Sequence, residues 1–499
     1  MIPMAEEQKL NAQSLDAQTV EMSDFEKLLT QEFKPKSDEA NLAVQSAVKT
    51  LVSQALENAA LVSDNSIKTI EGIIAELDKK LSDQVNQIIH NDAFQKLESA
   101  WRGLNYLVSN TQTSESMKIR VLNVSKKELA KSLKKFKGAA WDQSPLFKKL
   151  YEDEYGTAGG EPFGCLIGDY YFNHSAPDLE LLKGIAQVAA AAHMPFISAA
   201  DPTIMNFDSW QELSNPRDLS KIFSTPEYAA WRSFRESEDS RYVALTMPRV
   251  LSRMPYGANT NPVEEFDFEE ETGAGASDKY NWMNAAYAMG VNIDRSFTEY
   301  GWCARIRGVE SGGAVEGLPT HTFPTDDGGL AMKCPTEIAI TDRREAELSK
   351  NGFLPLCYWK NTDYAVFLGG QTVNKPQEYD NPEATANANL SARLPYIFAT
   401  CRFAHYLKCI VRDKIGSFKD CADMQRWLSD WIANYVTGDP NASEEVKAKY
   451  PLAEAKVEVE PVEGQPGYYN ARFYLRPHYQ LEGLTTSLRL VAKVPSGAK

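Results

Sequence analysis

At 499 residues the chain can bury a large core without disulfides or metals, and 43% hydrophobic with 24% charged residues is the balance of a folded, water-compatible protein. A net charge of -15, with no dense Lys/Arg stripe to override it, would repel a phosphate backbone and argues against nucleic acid as a partner. No apolar run approaches the roughly 20 residues of a membrane span, and MIPMAEEQKLNAQ lacks the basic and apolar regions of a signal peptide, so no direct membrane insertion and a cytoplasmic location are expected.

Residues 1 to 23 are polar and without periodicity, the pattern of a flexible tail. Ser23 and Asp24 then offer caps, and Phe25, Leu28, Leu29 and Phe33 recur at helical spacing before Pro35 ends the run. So short a helix is marginal alone, so its apolar face needs its own core or a partner. A second helix is expected from Ser37 to Ala60. A third, longer stripe runs from Ser66 to Val108, with a break at His90-Asn91-Asp92.

From 117 to 370 the pattern is mixed. Lys118–Val124, Phe163–Gly168 and Tyr242–Met247 read as strands, the last closed by Pro248, and Leu179–Ala192 as a helix. Long Gly/Pro-rich connections follow at Asn259–Asp278 and Gly308–Gly329. A polar linker, Gln371–Asn389, precedes helix from Ser391 to Val436. Beyond it Val457 and Val459 alternate with charged neighbours, as do Phe473 and Leu475, and Leu488 and Leu490, giving strands with a turn at Val462–Gly467. A sheet ending this close to the C-terminus leaves an edge that invites another chain.

The fold class expected is mixed α+β. An N-terminal tail and helical arm (1–62) would pack a partner, an irregular α/β middle domain spans 63–370, and a C-terminal core with inter-protomer strands spans 371–499.

Signatures of chemistry mostly fail. GxxxxGK[ST], GxGxxG after a strand, HExxH and GxSxG are absent, and no cofactor is expected. The glycine-rich Gly308–Gly317 has no phosphate-cradling lysine and reads as a structural loop. The carboxylate run Glu264–Glu271 lacks the spacing of a calcium loop and reads as a solvated acidic loop or a contact with a neighbouring subunit. His193 ends an alanine-rich helix, where its ring would satisfy the last carbonyls. His405 reads as core or interface, and a Cys401/His405 nucleophile lacks an orienting group. The seven scattered cysteines, without a CxxC pair, read as reduced and mostly buried.

Several long blocks carry a resemblance. They include Glu98-Ser-Ala-Trp-Arg-Gly-Leu-Asn-Tyr-Leu107, Phe234-Arg-Glu-Ser-Glu-Asp-Ser-Arg-Tyr-Val243, Pro248-Arg-Val-Leu-Ser-Arg-Met-Pro-Tyr-Gly257, Gly301-Trp-Cys-Ala-Arg-Ile-Arg-Gly308 and Arg402-Phe-Ala-His-Tyr-Leu-Lys408. From Ser23 to Val494 the chain resembles the large subunit of the type VI secretion contractile sheath (the TssC/VipB family). The resemblance implies a structural protein, not an enzyme, in a bacterial cytoplasm, with a phage-tail-sheath-like core. Implied partners are a small sheath subunit of the TssB/VipA type, neighbouring protomers, an Hcp-type inner tube, a baseplate and a ClpV-type AAA+ ATPase. It implies ATPase recognition by the helix with Phe25, Leu28, Leu29 and Phe33, and exchange of the strands with Val457, Val459, Phe473, Leu475, Leu488 and Leu490. The basic face with Arg402, Lys408, Arg412 and Lys414 is the candidate inner-tube contact. Two alternatives stand beside it: a sheath of another contractile device, and a cytoplasmic enzyme built on Glu310, Glu316 and His321.

Overall fold

The computed structural model describes residues 66–481, apart from 216, 273–276, 326, 418–419 and 466, together with a few helical positions between 42 and 50. The calls on Phe25–Phe33 and on Leu488 and Leu490 lie outside the described residues. The chain divides into two units, Met1–Asn91 with Pro255–Glu271, and Asp92–Met254 with Thr272–Lys499.

In the first unit, α1 (Ser66–Ile89) stops before His90-Asn91, where the sequence places the break. Asn86, buried on α1, donates to the Glu269 carbonyl at 3.1 Å and accepts from the Glu271 amide at 3.0 Å, so 255–271 is stitched along the helix. On its other side Ile74, Leu81 and Ile88 recur every seven residues and stay exposed.

The second unit begins with α2 (Asp92–Ser109) and α3 (Lys126–Lys135), the latter opened by a Ser125/Glu128 capping box. Its centre is a six-stranded sheet in the order β1-β2-β3-β9-β10-β6. Strands β1 (Leu166–Phe172), β2 (Phe196–Ala200), β3 (Val243–Met247) and β9 (Leu354–Tyr358) run parallel, and β10 (Ala365–Phe367) and β6 (Ala314–Val315) complete it antiparallel. Both faces are covered, which is why FISAA, VALTM and LPLCY are buried almost throughout and mostly apolar rather than alternating. Val243, Leu245 and Met247 face the core shared with α4 (Ala176–Ala192), whereas Ala244, Leu354 and Leu356 face the core shared with α7 (Ala285–Tyr300). Between α4 and α7 lie the short helices α5 (Leu219–Ser224) and α6 (Ala229–Arg235) and the two-residue strands β4 (Val250–Leu251) and β5 (Trp282–Met283). After β6 come a hairpin, β7 (Thr322–Pro324) and β8 (Leu330–Met332), and α8 (Asp342–Lys350). Small residues let α7 lie close. A Cβ on Gly290 would meet Ile167 Cδ1 at 2.3 Å, and one on Gly103 of α2 would meet the Tyr287 ring at 2.4 Å.

Three expectations need correction. Lys118–Val124 has the alternation of a strand but forms no ladder. Lys118 and Arg120 pair instead with Glu161 and Glu154, and Ile119 packs on the Leu107, Tyr287 and Val291 cluster, leaving Val121 and Leu122 exposed. The strand read at Phe163–Gly168 starts at Leu166 and runs on to Phe172. The linker Gln371–Asn389 contains α9 (Pro382–Ser391), started by the Asn381 side chain accepting from the Glu383 amide with Pro382 in the first turn. With none of its residues buried, α9 gives no apolar periodicity to read. The helical stretch expected from Ser391 to Val436 consists of two helices, α10 (Leu394–Lys414) and α11 (Cys421–Ala433). After α12 (Glu444–Lys449), β11 (Leu452–Pro461) and β12 (Tyr469–Pro477) close the described chain as an antiparallel pair. The fold is mixed helix and strand, α+β.

Candidate functional site

The C-terminal hairpin rests on a helical base. Val457, Val459 and Leu452 are buried with Phe403 of α10, Leu428 and Ile432 of α11 and Trp302, while Phe473, Leu475 and Tyr469 pack against the same cluster. Trp302 lies 4.6 Å from the Phe403 ring and 5.5 Å from that of Tyr435. The outward residues carry the charges. Arg476 pairs with Glu454, Arg472 with Glu460 and Lys456 with Glu458, all exposed enough to contribute little stability. The side chains of Val457, Val459, Phe473 and Leu475 therefore serve their own core. What the hairpin can offer a neighbour is backbone.

The two edges of this small sheet differ. Along β11 the outer groups of Leu452 and Val459 are taken up by the same chain. The Leu452 amide donates to Tyr435 O and its carbonyl accepts from the Thr437 amide. The Val459 amide donates to Gln425 Oε1 at 3.3 Å, and its carbonyl accepts from Cys421 Sγ. Because the amide and carbonyl of Val459 point away from β12, the antiparallel alternation turns those of Ala471, Phe473 and Leu475, which face Val459, Val457 and Ala455, toward the outer edge of β12. Among the described residues no strand pairs with that edge. Beyond it the chain is tied down at Gln480. Its Oε1 accepts from Arg307 Nε at 2.7 Å, its Nε2 donates to Ala304 O at 2.8 Å, and its amide donates to Tyr396 Oη. A firm base, an outer edge with no strand on it among the described residues and an anchored exit are what addition of a strand would need.

The four cations of the basic face on α10 turn to their own chain. Arg402 stacks on Phe297 and Tyr406, Lys408 sits over the rings of Tyr155 and Tyr151, Arg412 donates to the carbonyls of Tyr155, Gly156 and Thr157, and Lys414 lies over Trp427. All four are half-buried. Apart from Tyr406, one turn from Arg402 on the same helix, the rings and carbonyls they meet come from other segments, so spacing alone gave no sign of them.

The motifs set aside for chemistry are structural where described. Gly313 sits where a Cβ would come within 2.5 Å of Gly308 N and Phe367 O, so the glycine-rich loop is packed against β10. His321 Nδ1 pairs with Tyr280 Oη at 2.8 Å in the interior, whereas Glu310 and Glu316 are exposed, so these three do not converge. In the acidic run, Glu270 is buried and accepts from the Tyr256 amide, so the expectation of a solvated loop fails at this carboxylate, whereas Glu269, which accepts from the Ala258 amide, stays exposed. His193 does cap α4, but through its backbone. It takes a left-handed conformation (φ 51°), and its amide donates to Ala189 O and Ala190 O. Burial pushes the Cys401 thiol up and pushes His405 down to about 4, the wrong directions for a thiolate and its base. Only Cys357 and Cys401 are fully buried, and Cys409 is exposed. Among the described residues no group of three or more His, Cys, Asp or Glu could hold a metal, and no helix is long and apolar enough to cross a membrane.

The family model described as EvpB/VC_A0108, tail sheath N-terminal domain (VipB), matches residues 71–374, and its companion, tail sheath gpW/gp25-like domain, matches residues 383–494. The chain is 68% identical over 494 residues to the type VI secretion system sheath protein TssC1 of Pseudomonas aeruginosa, covering 99% of each. Among solved structures it is similar to a chain of the anti-feeding prophage baseplate at 11% identity, with 63% of this chain and 67% of that one covered and a TM-score of 0.34. It is also similar to the contracted sheath of an extracellular contractile injection system, at 10% identity, with 62% and 68% covered and a TM-score of 0.31.

Proposed function

Because the chain belongs to the VipB/EvpB tail-sheath family of type VI secretion, we propose that it works as the large subunit of the contractile sheath, pairing with a small sheath subunit and polymerising around an inner tube. In this reading it is a mechanical part of the bacterial cytoplasm with no catalytic role. Contraction of the polymer propels tube and spike toward a target cell. The observation that carries the reading is the outer edge of β12, which no strand pairs with among the described residues, on a hairpin held to its base at Val459 and anchored at Gln480. Each association costs an estimated ~4–15 kcal/mol in lost rigid-body freedom, so a long lattice needs many repeated contacts, and strand addition supplies them without new side-chain pockets.

Two helix faces suit the small subunit. Ile74, Leu81 and Ile88 on α1, and separately Leu97, Trp101 and Val108 on α2, are exposed apolar residues at or near heptad spacing, and each row is one that a partner helix would cover. The run with Phe25, Leu28, Leu29 and Phe33 is assigned to recognition by a ClpV-type ATPase, and the segment with Leu488 and Leu490 to exchange between protomers. Contact of the Arg402, Lys408, Arg412 and Lys414 face with an Hcp-type tube, and of the sheath end with a baseplate, belong to the same proposal. For the basic face, such contact would compete with the internal bonds these side chains already make.

Ala471→Pro tests the edge. Ala471 is exposed and its amide points outward, so proline removes one donor for a neighbour while sparing the β11 ladder. The variant should fold and bind the small subunit yet give no tubules by negative-stain microscopy; normal tubules would remove the edge from the assembly.

A further inference from the structure

The two family-model stretches, 71–374 and 383–494, meet along one stripe of α10. His405 Nε2 lies 2.9 Å from Ala192 O, the last carbonyl of α4. Lys408 Nζ is 3.2 Å from Tyr151 Oη and 3.8 Å from the Tyr155 ring centre, and Arg412 donates to Tyr155, Gly156 and Thr157 carbonyls. Positions 405, 408 and 412 share a helix face. They address the C-terminal ends of two segments, α4 and the π-wound turn Lys148–Tyr155, where unpaired carbonyls attract donors.

We infer that this stripe is an acid-sensitive joint, holding the two stretches together while His193 and His405 are neutral and releasing α10 from the end of α4 when they take up protons.

The geometry requires neutral rings. A bond to Ala192 O needs the proton of His405 on Nε2, which leaves Nδ1 a bare lone pair. Nδ1 of His405 and Nδ1 of His193 are both buried without a hydrogen-bond partner. The rings lie 6.4 Å apart and 5.3 Å and 5.8 Å from Tyr155. A proton on either Nδ1 would bury a charge with no acceptor. The groups that face this pocket are Tyr151 and Tyr155 from the π-wound turn and Cys401, Arg402, Lys408, Cys409 and Arg412 from α10. From Glu238–Tyr242 comes Tyr242, near Asp239 and Arg241. Asp239, the carboxylate of this set, acts on Tyr242, whereas the charges acting on the imidazoles are Lys408 and Arg402. Burial first, and then these cations, hold both imidazoles below the ordinary range, His405 at about 4. A depressed imidazole favours the closed joint at neutral pH, and the preference fades as pH falls from 6.5 toward 4. For His405 alone, opening should rise about 30-fold between about pH 7.5 and about pH 5.

Backbone hydrogen exchange on the full-length chain, corrected for intrinsic pH dependence, reads the joint at the amides of Gly156, His193 and Met194, which close onto Tyr151, Ala190 and Ala189. In the wild type their opening should increase about 30-fold over that range. His405→Gln keeps a donor for Ala192 O but has no proton to take up, and should flatten the response. Exchange at the imidazole C2 carbon titrates each histidine in the wild-type chain and needs no variant. It should place His405 well below the ordinary imidazole value. Wild-type opening that ignores pH, a His405 titration at the ordinary value, or an H405Q chain as acid-sensitive as the wild type would each overturn the joint.

Discussion

Glu98 shows what single residues contribute. On α2 it accepts from Arg102 Nε at 2.7 Å and from Arg253 Nε at 2.6 Å, with Arg253 almost wholly enclosed. Burial alone would raise its carboxyl, but the hydrogen bonds and charges of Arg253 and Arg102 outweigh it and hold the group below its ordinary value. The bridge therefore stabilises the fold above pH ~4.5 and fades as pH drops through the depressed folded value. Glu98→Gln should cost about 2 kcal/mol at neutral pH, and urea titrations should show the gap from wild type closing in acid; a gap that persists unchanged below pH ~4 would contradict the assignment. Both residues stand in blocks that the sequence makes conspicuous, yet no spacing rule joins positions 155 apart. His193 taught the reverse lesson. Its capping position was legible from Ala-rich helix followed by Met-Pro, but the cap uses the left-handed backbone and not the ring.

Elements were readable where one physical cause dominated. The break between α1 and α2, the helix before His193, the strand VALTM and the alternation in β11 and β12 all follow from burial patterns that a linear sequence displays. Lys118–Val124 misled because alternation marks a two-sided extended segment but does not say whether a neighbouring strand exists; salt bridges to 154–161 hold it instead. Helix α9 was hidden by the lack of any buried face, with its Asn381-Pro382 cap the one available signal. The contact between α2 and α7 depends on a residue whose role only packing reveals. Gly103→Ala would drive a methyl into the Tyr287 ring, and at about 1–3 kcal/mol of overpacking the melting temperature should fall despite the better helix propensity of alanine; an unchanged or higher melting temperature would show that Tyr287 moves aside freely.

At the scale of the whole molecule, the hairpin buries its own core while the outer edge of β12 has no strand paired to it among the described residues, and α1 and α2 each carry apolar residues toward solvent. A six-stranded sheet covered on both faces gives stiffness, and the periphery is where the proposed assembly would make its connections. Sequence patterning pointed to the terminal strands β11 and β12, but it could not tell their two edges apart, since Gln425 and Cys421 reach β11 only in the folded chain. The most direct measurement is electron microscopy of this chain co-expressed with a small sheath subunit. Long tubules containing both chains are predicted. A monodisperse, soluble single chain that ignores the small subunit, with nothing added to the edge of β12, would contradict the account.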